Sequence, residues 1–175
     1  QRHPAHRPRV VDEEAVHMMH VSRTIRAEIF SRGFFFDGSF DLSAQTDCVP
    51  QTLLSFVSML LSGPGNFDAH DNPRALSISQ LIMFNAVKRP RKKVPCAPQQ
   101  ETASATRHTS SQETPLPIYI GLMLHSATRK KKVVNKCHDL GLCVSYDRVM
   151  QIENKMTNST CSKYRSENLV CPPVL

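Results

Sequence analysis

The chain has 175 residues, enough for one ordinary domain or two small ones, with 40% hydrophobic and only 6% aromatic residues. Its longest apolar stretch, Leu53 to Leu61, is interrupted by Ser55 and Ser58 and is far too short to cross a bilayer, which excludes a membrane-spanning helix as partner to lipid. The formal net charge of +7 favours polyanionic partners, DNA first among them.

The charge is patchy. Lys88, Arg89, Arg91, Lys92 and Lys93 form one run, and Arg129, Lys130, Lys131 and Lys132 form another; together they outnumber the net charge, so the remainder is near neutral. Each run by itself reads equally well as a solvated surface. The six cysteines (Cys48, Cys96, Cys137, Cys143, Cys161 and Cys171) contain no C-x-x-C pair and have irregular gaps, so reduced thiols inside the cell are expected rather than a disulfide framework. Asn158-Ser159-Thr160 fits the glycosylation acceptor pattern, one that occurs often by chance.

Residues 1–10 are polar, basic and proline-containing, with the composition of a disordered tail, and the start at Gln1 suggests a fragment. Residues 11–87 read as an N-terminal helical subdomain. Asp12 caps a first helix with Glu13 and Glu14 in its first turn, Ala15, Met18, Met19, Ser22, Ile25 and Ile29 recur at helical spacing, and Gly33 closes it. His3-x-x-His6 and His17-x-x-His20 lack Cys or carboxylate partners at ligand spacing, so they read as surface histidines and no metal or other cofactor is expected. Phe34, Phe35, Phe36 and Phe40 around Asp37-Gly38 read as an aromatic plug under the first helix, with a short hairpin as the alternative.

Leu53, Phe56, Val57, Leu60 and Leu61 make a second helical stripe, stopped by Gly63-Pro64-Gly65. After a turn-rich interval over 66–75, Ser77 caps a third helix carried by Ile78, Leu81, Ile82, Phe84 and Val87, packed on the second as a helical hairpin. Residues 88–114 have the composition of a disordered basic linker rich in Pro, Ser and Thr. Lys88 to Lys93 within it looks like a nuclear-import or polyanion-binding run.

Residues 115–158 carry the longest stretch of consistent signals. Thr114 caps a helix with Pro115 and Pro117 at its start and Ile118, Leu122 and His125 on one face, widened by Tyr119, Met123 and Leu124. A second helix carries Val133, Val134, Cys137 and Leu140 and stops at Gly141; Ser145 caps a third, with Val149, Ile152 and Met156 on its apolar face. Helix, glycine turn and capped helix is the outline of a helix-turn-helix. In that reading Tyr146, Arg148 and Gln151 reach base edges while Lys130 to Lys132 hold phosphates. The connection from Gly141 to Val144 is about two residues longer than the compact form of the motif, and a small helical bundle with a glycine C-cap remains the plain alternative. Cys137 and His138 are adjacent on a helix and point about 100° apart, so they do not form a nucleophile pair. Residues 159–175 lose periodicity and read as an irregular, truncated tail.

The segments SISQLIMFNAVK, PLPIYIGLMLHSATRKKKVVNKCHDLGLCVSYDRVMQIE and VCPP resemble a group of uncharacterised multi-copy animal proteins of mobile-element origin. The resemblance covers roughly 49–94 and 114–173 and implies a longer parent chain; it carries no established activity, cofactor or site residue. No carboxylate triad, or nucleophilic Tyr or Ser with supporting arginines, is identifiable for transposition chemistry. The expectation is therefore a mostly α chain: short helices in two small subdomains around a basic linker. Its expected role is nucleic-acid binding in the nucleus. The alternative is a helical interaction module whose faces at 52–62 and 77–87 dock on a partner or on other parts of a longer chain.

Overall fold

The computed structural model describes residues 12–64, 72–87 and 112–167, and its regular structure there is helical, with no strand among them. Seven helices follow in order: α1 Glu13–Ser31, α2 Leu42–Asp47, α3 Gln51–Ser62, α4 Pro73–Asn85, α5 Pro115–Thr128, α6 Lys131–Asp139 and α7 Tyr146–Ser166. The tail 1–10, the basic run Lys88 to Lys93, Cys96 and Cys171 lie outside the described residues.

Asp12 caps α1 as expected, its carboxylate accepting the Glu14 amide at 3.2 Å. The helix ends at Ser31, where Arg32 turns extended, just before the Gly33 stop expected. Only its C-terminal half meets the body: Ile29 is buried, and Ile25 and Phe30 pack beside it on Cys48, Val49, Leu53, Leu54, Val57, Ala75, Leu76 and Met83. The α3–α4 hairpin supplies most of that core, and the ends that its connection joins are tied by Asn72 Nδ2 donating to Ser62 Oγ at 3.3 Å. Leu53, Leu54 and Val57 meet Ala75, Leu76 and Met83 in that core, while part of each face expected to dock on a partner stays at the surface.

Several local expectations need correction. In α3 the buried positions are Leu53, Leu54, Val57 and Ser58, whereas Leu60 and Leu61 are exposed past the end of the core. The cap of α4 is Asn72, which accepts the Ala75 amide at 3.1 Å with Pro73 in the first turn; Ser77 lies inside the helix, its hydroxyl donating to Pro73 O. The face of α4 that packs is Ala75, Leu76, Ser79, Gln80, Met83 and Phe84, so Ile78, Ile82 and Val87 are left exposed. Neither a hairpin nor a plug under α1 forms at 34–41. Phe34 joins the first core, but Phe36 and Phe40 cross to a second one, where Phe40 meets Tyr119 edge-on at 5.7 Å.

That second core consists of Phe84, Ile118, Val134, Cys143, Val144, Val149 and Ile152. α4 is therefore the wall between the cores: Met83 faces one and its neighbour Phe84 the other. Gln80, fully buried, locks the wall to the start of α5. Its side-chain oxygen accepts the Leu116 amide at 2.8 Å, its Nε2 donates to Gln45 Oε1, and its carbonyl accepts the Thr114 hydroxyl. A buried amide with partners of this kind orients two elements as well as satisfying itself. The expected solvated linker consequently ends early, since Gln112, Glu113 and Thr114 are all buried. At the other end α7 runs on to Ser166, so residues 159–166 are helix rather than irregular tail.

Candidate nucleic-acid interface

The second basic run sits at a corner. α5 stops because Arg129 adopts a left-handed conformation (φ 52), its amide donating to His125 O at 2.8 Å. Lys130 then turns extended and caps α6 with no side-chain bond, and Lys131 and Lys132 form the first turn. All four cations are exposed, as is Lys136 one turn further along the Lys132 side of α6. Only Lys131 has an acidic partner among the described residues: Asp147 at 3.0 Å, with the Lys131 ammonium also 5.3 Å above the Tyr146 ring. Cations at a helix N-terminus oppose the macrodipole, at a cost of about 0.3–1 kcal/mol each. Arg129, at the C-terminus of α5, lies instead at the favourable negative end of that helix.

From the corner, α6 leads into the turn and α7, packed across α5. Gly121 is the contact point: a Cβ there would come 2.9 Å from a Val149 methyl and 3.2 Å from a Val144 methyl. The turn is held from the N-terminal half as well. Gly141 has φ 73, and Asn85 at the end of α4 donates from Nδ2 to its carbonyl at 2.8 Å. His138 Nδ1 donates to Cys143 O, and Asn135 Oδ1 accepts the Tyr146 amide. Cys143 is fully buried, and that burial, with Cys137 a smaller cause, pushes its thiol up to about 11; burial likewise pushes Cys48 to about 12. Both are core thiols, and Cys48, Cys137, Cys143 and Cys161 are free.

The start of α7 is where the expected base-reading residues fall, and the geometry gives two of them other work. The Arg148 guanidinium grips the Glu113 carboxylate through Nε (2.8 and 3.0 Å) and Nη2 (2.7 Å), while Nη1 donates to Gln151 Oε1 at 3.2 Å. Glu113 is 8% exposed in its side chain, so this two-pronged pair is mostly withdrawn from water. Tyr146 is half-buried, stacked edge-on to the His125 ring at 5.3 Å. His125 is buried, with Nε2 3.7 Å from a Glu153 carboxylate and Nδ1 unpartnered. What α7 offers to solvent in its first two turns is Asp147 and Gln151. An acid at the front of a recognition helix repels phosphate.

The structure thus brings Arg129, Lys130, Lys131 and Lys132 together at one corner and turns Arg148 inward; Lys88, Arg89, Arg91, Lys92 and Lys93 lie outside the described residues. Lys136 and Asn85 were missed by the sequence reading. Lys136 carried a signal, the spacing of four from Lys132, whereas nothing in the sequence pairs Asn85 with Gly141. No group of three or more His, Cys, Asp or Glu able to hold a metal occurs among the described residues, and no helix there is long and apolar enough to cross a membrane. No family model, curated protein or solved structure matches the chain.

Proposed function

We propose that the chain is a nuclear nucleic-acid-binding protein of mobile-element origin that grips the phosphate backbone through the α5–α6 corner. The observation that carries this reading is the consecutive exposed set Arg129, Lys130, Lys131 and Lys132, extended by Lys136, with one acidic partner between them among the described residues. Cations so placed lower their mutual repulsion by binding phosphate and releasing its counterions. The origin rests on the resemblance of SISQLIMFNAVK and the Pro115–Glu153 segment to multi-copy animal proteins, and the nuclear location on the Lys88 to Lys93 run. Contact is with the backbone rather than with bases, because Arg148 is held by Glu113 and Asp147 fronts α7. Selection by the full chain from a random duplex pool is expected to enrich no defined sequence. A sequence enriched at physiological salt would instead make Tyr146, Arg148 and Gln151 base-reading residues.

A second reading, a helical interaction module with no nucleic-acid role, is favoured by a separate observation. The N-terminal three turns of α1 stand clear of both cores with Val16, Met18, Met19 and Val21 exposed.

A further inference from the structure

Tyr119 and Met123 belong to the face of α5 that the sequence pattern assigns to packing, yet they are 51% and 47% exposed. With the exposed Ser126 they form an outward stripe at spacings of four and three, turned away from the buried Ile118, Gly121 and His125. That stripe follows α5 toward its end, where Arg129 and Lys130 begin the basic corner. From Tyr119 to Arg129 the helix rises about 15 Å.

The Tyr119 ring is held rather than loose. Phe40 meets it edge-on at 5.7 Å with 68° between the rings, and Phe36 in turn meets Phe40 at 4.9 Å. Phe36 and Phe40 are half-buried against the second core, so the tyrosine is supported from the body while half of it stays open to water. An edge-to-face contact occupies at most one face of either ring. A ring anchored in this way loses little further freedom when a second flat group stacks on it.

We infer that the outward face of α5 is a stacking platform for unpaired bases, so that the chain prefers single-stranded to double-stranded nucleic acid. This preference rests on the phosphate-binding role proposed for the corner and adds the class of strand. Single-strand binding combines cations that track the backbone with aromatic rings on which bases stack. Here the two lie on one helix, the cations at its end and the ring about 15 Å back. In a duplex the base faces are covered by their neighbours, and Tyr119 gains nothing from them. A single strand whose phosphates lie on Arg129 and Lys130 can follow the stripe for a few nucleotides to Tyr119, with the adaptable side chain of Met123 as apolar contact between. Stacking uses the flat face that every base has and needs no sequence-reading arginine, which agrees with Arg148 being held by Glu113.

The test is fluorescence anisotropy of the full chain with oligo(dT), oligo(U) and a mixed-sequence duplex of equal length, all at one salt concentration. The tighter of the two single strands is expected to bind at least about fivefold better than the duplex, and the comparison between them tells DNA from RNA as the strand. Tyr119→Leu keeps apolar bulk against Phe40 but has no flat face. It should weaken single-strand binding at least about fivefold and duplex binding less than about twofold, while Tyr119→Phe keeps the wild-type preference. Quenching of tyrosine emission by the single strand, present in the wild type and reduced in Tyr119→Phe, reads the stack without a destabilising variant. A duplex bound as tightly as either single strand, or unchanged single-strand affinity in a folded Tyr119→Leu, would overturn the preference and leave the corner's grip on phosphate standing. Binding of neither form by the wild type would overturn both.

Discussion

The carboxylate of Glu113 comes out of water just ahead of α5, and Arg148 reaches back from α7 to meet it. Removing the arginine would leave a nearly buried anion with no cation. Arg148→Ala is therefore expected to lower stability by about 2–3 kcal/mol, less than orphaning a fully buried partner because the guanidinium is partly open to water. A denaturant titration checks it, and a loss within about 0.5 kcal/mol would mean the pair is only a surface contact. The residue scale is also where the sequence was least legible. Glu113 lies at the end of an interval whose composition is that of a linker, so nothing in the local sequence distinguishes it from Glu101 or marks Arg148 as its partner. Arg148 early in a capped helix looks identical whether it faces bases or a carboxylate. Only the fold, by crossing α7 over the start of α5, decides between the two.

At the scale of elements much more was readable. Periodicity and turn chemistry located α1, α3, α5, α6 and α7, because Asp12, Gly63, Gly141 and Ser145 each perform a local task that a short window reveals. α2 escaped because its six residues are too short to show a period. α4 was found but rotated: Ile78 and Ile82 are the conspicuous apolar residues, yet the packed face carries Ser79 and Gln80, whose small size and amide suit a wall between two cores. Hydrophobic pattern cannot rank a buried glutamine above an exposed isoleucine when the glutamine's partners are 35 and 36 residues away. Packing between helices is similarly invisible at Gly121, which reads as a weak point in α5 but is where α7 comes closest. Gly121→Ala adds a methyl against the stiff side chain of Val149, a strain of about 1–3 kcal/mol that outweighs a gain in helix propensity of up to about 1 kcal/mol. The expected result is a lower denaturation midpoint with an unchanged slope. A raised midpoint would show that α5 and α7 are less tightly apposed than the structure has them.

Over the whole molecule, the described residues pack into two cores that share α4, and Phe36 and Phe40 tie residues from the N-terminal half into the second. The Asn85–Gly141 bond continues that tie to the turn before α7. The α5–α6 corner thus projects from a braced body, which fixes its cations in one place at the surface. Backbone binding there should appear as salt dependence, since log K falls with log salt by about 0.9 for each phosphate neutralised on duplex DNA. The most direct measurement is duplex affinity across a salt series for the full chain and for a variant carrying Arg129→Gln, Lys130→Gln and Lys132→Gln. Lys131 and Asp147 are left intact as an internal pair. The account predicts a slope shallower by roughly 2–3 and an affinity near 0.1 M salt reduced at least about tenfold. An unchanged slope and affinity would contradict it and assign duplex binding, if any, to residues outside the corner.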